Sequence, residues 1–478
     1  MKRSSILRLL LAALAAVIGL TAFTVTILFT VFDLRVELAG NGIYPIVSFG
    51  NTSDHFENLE LNRSQHYSRL LPAGSSRSLA PLTTPSESVA ASDTYWTDFR
   101  GPNRDGRYTQ TPLRTTWPAA GLDPLWTQPI GGGYSSFVVA QGLAFTIEQR
   151  RNEEVVSAYD ADTGREVWTH AWSAHFTETM GGPGPRATPT WHDGHLYALG
   201  ATGQFWCLDA KTGAVMWNRN ILHDSAATNL VWAMSASPLI VDDLVIVQPG
   251  GANGWSVIAY NHETGDIIWH ALDDVQGYSS PMLVSVSGVR QILTVTAERA
   301  VGLRIEDGQL LWEFPWVTPT VPNMSQPIVF DEEYIFLSAG YGHGATLLNV
   351  IHTDGRYTVE SVWKNNRMKN KFSSAVFHEG YIYGFDESIL ACIKAVTGEL
   401  QWKGGRYGYG QLLLAGDHLV ILSEHGDVVL VRATPERHDE VASFVAIEGK
   451  TWNVPALAEG RLFVRNAREM AAFDLTLQ

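Results

Sequence analysis

Cysteine, net positive charge and recognisable catalytic motifs are what this 478-residue sequence has least of. Only two cysteines are present, and none follows the first apolar run before Cys207, which excludes a lipid-anchored mature terminus. The formal net charge is -15, and past the first ten residues the only basic cluster of note is Lys364 to Lys371. A phosphate backbone would mostly be repelled, so nucleic acid is not an expected partner. No Gly-x-Ser-x-Gly elbow, no His-Glu-x-x-His and no phosphate loop appears, and the run Gly131-Gly132-Gly133 has no helix behind it to offer a dipole. The fifteen histidines show no metal-ligand spacing. His192, His378 and His418 each adjoin an acid in equivalent hairpin turns and read as solvent-exposed, and Asp242-Asp243 and Asp273-Asp274 read as hairpin turns and solvated edges.

Charge is also missing from Leu9 to Phe32. This uncharged stretch, preceded by Lys2, Arg3 and Arg8, is long enough to cross a hydrocarbon core of about 30 Å. A signal peptide usually has an apolar region of only about 7–15 residues. The expectation is an uncleaved anchor over 1–32 with its basic end cytoplasmic. The rest would lie on the periplasmic or extracellular side of the cell membrane. No strand periodicity is sustained over the next sixty residues, and Pro72 to Ser92 is rich in Ser, Pro, Ala and Thr. Residues 33–93 are therefore expected to form a flexible linker.

What the sequence does have is 16 Trp, 43 Gly and a recurring phrase. Asp-Ala-Asp-Thr-Gly-Arg-Glu-Val-Trp ends at Trp168, Asp-Ala-Lys-Thr-Gly-Ala-Val-Met-Trp at Trp217, and Asn-His-Glu-Thr-Gly-Asp-Ile-Ile-Trp at Trp269. Fainter copies end at Trp312 and Trp402. Trp126, Trp168, Trp217, Trp269, Trp312, Trp363 and Trp402 are 39 to 52 residues apart, the spacing of four-strand propeller repeats. Each unit holds four strands, and copies begin near Phe137, Pro189, Pro238, Pro281, Pro327, Ala375, Leu412 and Pro455. Eight starts predict an all-β, eight-bladed propeller over 94–478. The last copy lacks its outer strand, and Leu125 to Ile130 resembles one without its three predecessors. A strand near 125–130 is therefore expected to close the ring.

Geometry assigns the phrase structural work. Gly permits the positive φ of a tight turn, the preceding Asp or Thr bonds turn amides, and Trp fills the wedge between blades. In the seventh blade the outer strand reads as Val441 to Ile447, with Phe444 in the Trp slot. Cys207 and Cys392 stand where other repeats have Ala158, Ala259 and Gly302, on opposite sides of the ring and beyond disulfide reach. Both are expected as free, packed thiols.

The phrase resembles the tryptophan-docking repeat of the pyrroloquinoline-quinone (PQQ) propeller superfamily. Trp96-Thr97-Asp98-Phe99-Arg100-Gly101-Pro102-Asn103-Arg104-Asp105-Gly106 and Gly182 to Pro189 resemble segments of extracytoplasmic PQQ-binding-like propellers. The resemblance implies one of two classes, since fold does not decide function. One comprises quinoprotein dehydrogenases, with PQQ and calcium in the central funnel. The other comprises cofactor-free propellers such as the outer-membrane assembly lipoprotein. The dehydrogenases often carry an adjacent Cys-Cys pair and extra loops over the funnel, and this sequence has neither.

Segments leading into the innermost strands should rim the funnel. Their leading residues are Tyr134, Arg186, Ser235, Tyr278, Met324, Phe372, Tyr409 and Trp452, with Asn229, Trp232, Asn323 and Lys371 nearby. Aromatics with one Arg could stack a flat ring and pair a carboxylate, or they could simply plug the funnel. Calcium needs about six to eight oxygens, yet the aligned rim contains no Asp or Glu, and Glu148 and Glu178 lie on other loops. The expectation is a membrane-anchored binding or scaffolding platform with a protein partner and neither resident cofactor nor metal. The alternative is a PQQ- and calcium-dependent dehydrogenase of alcohols or sugars, with a small ligand in the funnel.

Overall fold

In a computed structural model the protein is described over residues 2–30, 34–38, 40, 45–49, 52–70, 95–318 and 323–477. Eight sheets, each with four antiparallel strands, follow one another around a ring. The first blade spans Val138–Ala140 to Glu166–Ser173 and the seventh Gln411–Ala415 to Glu440–Val445. The eighth has three strands from the C-terminal region and takes its outermost from Trp126–Pro129, which pairs with Glu469–Asp474 in the register Trp126↔Ala472.

Inner and middle strands are buried almost throughout, as in Leu143–Arg150, because each is covered by the neighbouring blade on both sides. Outer strands alternate. In Val215–Asn220 only Trp217 is buried while its neighbours face solvent. The core is accordingly a circle of wedges between blades. Phe145, Val156 and Trp168 of the first blade pack with Leu196 and Leu208 of the second, and the same arrangement recurs onward, as between the second and third blades.

The recurring phrase docks each blade on the next. The Trp168 indole donates to Ala210 O at 3.0 Å, Trp217 to His262 O at 2.9 Å and Trp269 to Ile305 O at 2.9 Å. Each acceptor lies in the following blade's turn. The turn glycine is needed twice over: Gly213 has φ +74°, and a Cβ there would lie 2.5 Å from the Trp168 ring. Trp312 departs from this pattern, donating to Gln291 Oε1 of its own blade at 2.6 Å. Phe444 packs edge-on against Trp117 and Phe473 at 5.2 and 5.0 Å. Cys207 and Cys392 are buried and free.

Some residues expected in solvated turns are elsewhere. His418 is buried against Asp417 at 2.6 Å, and Asp274 is buried in a two-pronged pair with Arg299 at 2.9 and 2.8 Å.

Where the sequence suggested a flexible linker over 33–93, the chain carries secondary structure in part of it. Helix α1 (Lys2–Thr30) has its apolar Ala13–Thr30 stretch unburied and is long enough to cross a membrane. Strands β1 (Leu34–Leu38) and β2 (Pro45–Phe49) pair as a hairpin. Helix α2 (Thr52–Leu70) buries Leu59 and docks across the closing strand. Arg63 donates to Pro129 O at 2.7 Å and Tyr159 OH at 3.1 Å, and its Nε lies 3.3 Å from Glu166. Residues 71–94 lie outside the described residues. Dense side-chain partnering, absent from any local periodicity, is what orders α2.

Candidate functional site

Three layers succeed one another along the ring axis. At the mouth stand the leading residues of the innermost-strand entries. Two residues deeper, polar side chains link blade to blade. The Ser136 N–H donates to Thr188 Oγ1 (2.9 Å), Thr188 N–H to Ser237 Oγ (3.0 Å), Ser237 N–H to Ser280 Oγ (2.8 Å), Ser280 N–H to Gln326 Oε1 (2.6 Å) and Gln326 N–H to Ser374 Oγ (3.0 Å). The entries of adjacent blades belong to separate sheets and do not pair with one another, so polar side chains of the next blade satisfy their N–H groups.

The third layer closes the far end. Trp96 bridges to Val139 of the first blade, and Arg107–Tyr108 pairs in parallel with Leu414–Ala415 of the seventh. Between them two arginines are buried on the axis, each 1% exposed. Arg100 donates to Ala375 O at 3.0 Å and Leu412 O at 3.1 Å. Arg104 donates to Ser237 O at 3.1 Å and Pro281 O at 2.9 Å, and pairs with Asp98 at 2.9 Å. Burial draws the Arg100 pKa down to about 10 against the pull of Asp105, so it stays charged at neutral pH. A Cβ on Gly106 would collide with the Arg100 guanidinium. The Trp96–Gly106 motif is thus a seal, a role the sequence reading left unassigned.

At the mouth the expected aromatics do gather. Tyr134 stacks on Trp452 at 5.4 Å, Trp452 meets Phe372 at 4.7 Å, and Phe372 meets Tyr409 at 5.6 Å. Trp232 and Tyr278 adjoin at 5.7 Å. Lys371, 8% exposed, lies over the rings of Tyr341 and Tyr409 at 4.4 and 4.8 Å. Arg186 is engaged by its own loop, donating to Gly182 O at 2.9 Å and Gly184 O and lying 3.4 Å from Glu178. It is an organiser of residues 176–186 and not an open carboxylate receptor. Asn229 donates to Ala201 O at 3.0 Å. Asn323 is buried, donating to Thr296 O and Trp316 O at 2.9 and 2.8 Å, and serves as a loop brace.

The expectation of an acid-free rim is corrected by three carboxylates. Glu178 accepts from Met180 N at 2.7 Å. Glu387 accepts from Tyr409 OH at 3.3 Å. Glu424, 4% exposed, accepts from Trp452 Nε1 at 2.9 Å and Tyr409 N at 3.3 Å. Alignment of the innermost-strand entries alone missed them. Strand direction alternates within a blade, so loops between second and third strands, such as those carrying Glu387, Glu424 and Tyr341, return to the same end. That alternation was the available signal.

These acids are each held by N–H or O–H donors, and among the described residues no group of three His, Cys, Asp or Glu is arranged to hold a metal ion. No vicinal cysteine pair faces the funnel either, since Cys207 and Cys392 lie in different blades. Among the described residues the mouth thus offers neither a cluster of three acids nor a vicinal cysteine pair, and its carboxylates are bonded to the protein itself.

Glu148 belongs to a separate buried network. It accepts from Ser157 Oγ and pairs with Arg150, both at 2.7 Å. Burial opposes its charge, but Arg150, Arg63 and Arg465 outweigh it and hold the carboxyl well below the ordinary range.

An eight-bladed ring with cross-blade Trp docking and a capped axis defines the class as PQQ-repeat propellers. The chain belongs to the PQQ-like repeat family whose model is described as outer membrane protein assembly factor BamB, matched over residues 151–404, more than half of the 478. It is 21% identical over 377 residues to outer membrane protein assembly factor BamB of Burkholderia pseudomallei, covering 68% of this chain and 92% of that one. It is 22% identical over 188 residues to quinoprotein alcohol dehydrogenase PedH of Pseudomonas putida, covering 38% of this chain and only 30% of that one. Among solved structures, quinohemoprotein alcohol dehydrogenase from Comamonas testosteroni superposes with a TM-score of 0.60 at 12% identity, over 89% of this chain and 85% of that one. That likeness speaks for the fold alone.

Proposed function

We propose that the protein is a membrane-anchored, extracytoplasmic binding platform that holds a protein partner, without resident PQQ. The observation that carries this reading is the occupation of the funnel mouth. Lys371, Arg186 and the three carboxylates are bonded to the protein itself, and the aromatic rings stack on one another. The assembly-factor relative, covered over most of its length, supports a protein partner. The unburied apolar helix α1 supports anchoring, with the propeller on the periplasmic or extracellular face.

The test has two arms on the full chain in detergent or native membranes. Titration with PQQ and calcium is expected to leave no stoichiometric chromophore and no alcohol-dependent dye reduction. A photo-crosslinker at exposed Val231 is expected to trap one discrete envelope protein. A bound, reducible chromophore would instead establish the dehydrogenase reading, and an absence of any discrete adduct from Val231 or from exposed Val445 would reject the platform.

A further inference from the structure

One contact at the funnel mouth comes from far away in sequence. Gly40, two residues beyond β1, is buried there. Its N–H donates to Glu424 Oε1 at 2.6 Å, and its carbonyl accepts from Lys371 Nζ. A Cβ at this position would overlap the Tyr409 ring, with Tyr409 Cβ at 2.8 Å. The donor and acceptor of one residue are thus read by a buried acid and a buried base, while an aromatic face excludes any side chain.

We propose that the funnel mouth is a recognition site for a glycine-bearing peptide turn, and that the β1–β2 hairpin fills it in cis. The receptor groups are set without help from the hairpin. Glu424 is oriented by Trp452 Nε1 and Tyr409 N, and Lys371 is held between the rings of Tyr341 and Tyr409. Both charges are nearly dry; when the turn leaves, Glu424 loses one N–H donor and Lys371 its carbonyl acceptor, although Glu387 and Glu424 still face Lys371 as opposite charges, and an under-partnered buried charge is costly. Glycine is required by shape and peptide N–H and C=O by charge, so the recognised chemistry is main chain, not a side chain or a flat cofactor.

The occupant is built to be displaceable. Among the described residues β1 and β2 pair with no other strand, with Leu38 opposite Pro45, and a lone two-stranded hairpin is marginal in water. Any competing turn gains the site by replacing a weakly held segment rather than by unfolding a blade. This proposal stands independently of whether a protein partner is recruited.

The experiment uses the full chain in micelles and a synthetic peptide of residues 34–49, cyclised through its ends and carrying a fluorophore. Wild-type protein, its mouth filled, should bind the peptide at least about tenfold more weakly than Gly40→Val protein, the ratio expected from a hydrogen bond to a charged group. Adding Lys371→Met to Gly40→Val should abolish binding, as should valine in place of Gly40 within the peptide. Amide exchange should show the paired strands Leu34–Leu38 and Pro45–Phe49 losing protection in Gly40→Val while the blades keep theirs. Equal binding by wild type and Gly40→Val would overturn occupation in cis. No binding by a Gly40→Val protein with intact blade protection, or binding that survives Lys371→Met, would overturn the recognition site.

Discussion

The backbone N–H of Thr188 donates to Ser237 Oγ across the second and third blades at 3.0 Å. Both residues are 1% exposed, so water cannot replace the acceptor. Ser237→Ala should leave a buried N–H unsatisfied and cost about 1–3 kcal/mol, read as a lower urea midpoint with an unchanged slope. A loss within error would mean that water reaches the axis and that the hydroxyl chain is not what ties the entries together.

Cross-blade docking predicts a graded response from two glycines of one blade. Gly194 and Gly213 share a left-handed backbone (φ +78° and +74°), but a Cβ at Gly194 meets nothing within 4 Å whereas one at Gly213 meets the Trp168 ring. Gly194→Ala should cost only the conformational strain, about 1–2 kcal/mol. Gly213→Ala should cost clearly more, approaching the roughly 3–5 kcal/mol of Trp168→Ala. Equal losses at the two glycines, compared by chemical denaturation, would reject the docking role.

The fold was legible because its signals are local and repeated. Thr-Gly turns, the Trp four residues beyond each glycine, and one orphan strand before the first blade dictate blade number and closure without reference to distant residues. Phe444 could be read as a Trp substitute for the same reason. The site was legible only where it shares that local register, as for Tyr134, Tyr409 and Trp452. Glu387 and Glu424 reach the mouth through loops of a different strand pair, and Arg186 turns back on its own loop. The burial of Arg100 and Arg104 on the axis, and of Gly40 at the mouth, depends on segments hundreds of residues apart. No periodicity reports such contacts. Helix α2 escaped for a related reason: its polar face is matched by Pro129, Tyr159 and Glu166 of the ring and not by its own sequence.

That matching can be broken selectively. Arg63 holds α2 to the ring through Pro129 O, Tyr159 OH and Glu166, while Glu166 keeps Arg150 as a second partner. Arg63→Ala should therefore loosen the helix, still tied by Asn62 to Gln128 and by Glu60 to Arg151, without leaving Glu166 unpaired. Hydrogen exchange should accelerate over 52–70 by at least about tenfold, the loss of one charge-assisted contact, with the blades unchanged. Simultaneous loss of protection in the first and eighth blades would show instead that α2 is integral to ring closure.

Glu154 gives the molecule a pH dependence of its own. It is fully buried between the first two blades, and its carboxylate accepts the Ala201 N–H, at 3.0 and 3.2 Å, beside the Trp172 indole. Burial pushes its pKa from 4.5 up to about 7, against the Ala201 N–H, the Trp172 indole and the charge of Arg186. Between those two values the folded protein keeps a proton that the unfolded chain has released. The stabilisation is complete below pH 4.5 and is lost as pH rises through 7, by about 3 kcal/mol in all at ~1.4 kcal/mol per pH unit. Glu154→Gln, which retains an acceptor for Ala201, removes this titration. The difference in unfolding free energy between variant and wild type should therefore grow in the variant's favour from pH 5 to pH 7.5 and then level off. Parallel stability curves across that range would show that Glu154 is ionised in the folded state throughout, and that solvent or a nearby cation stabilises its charge.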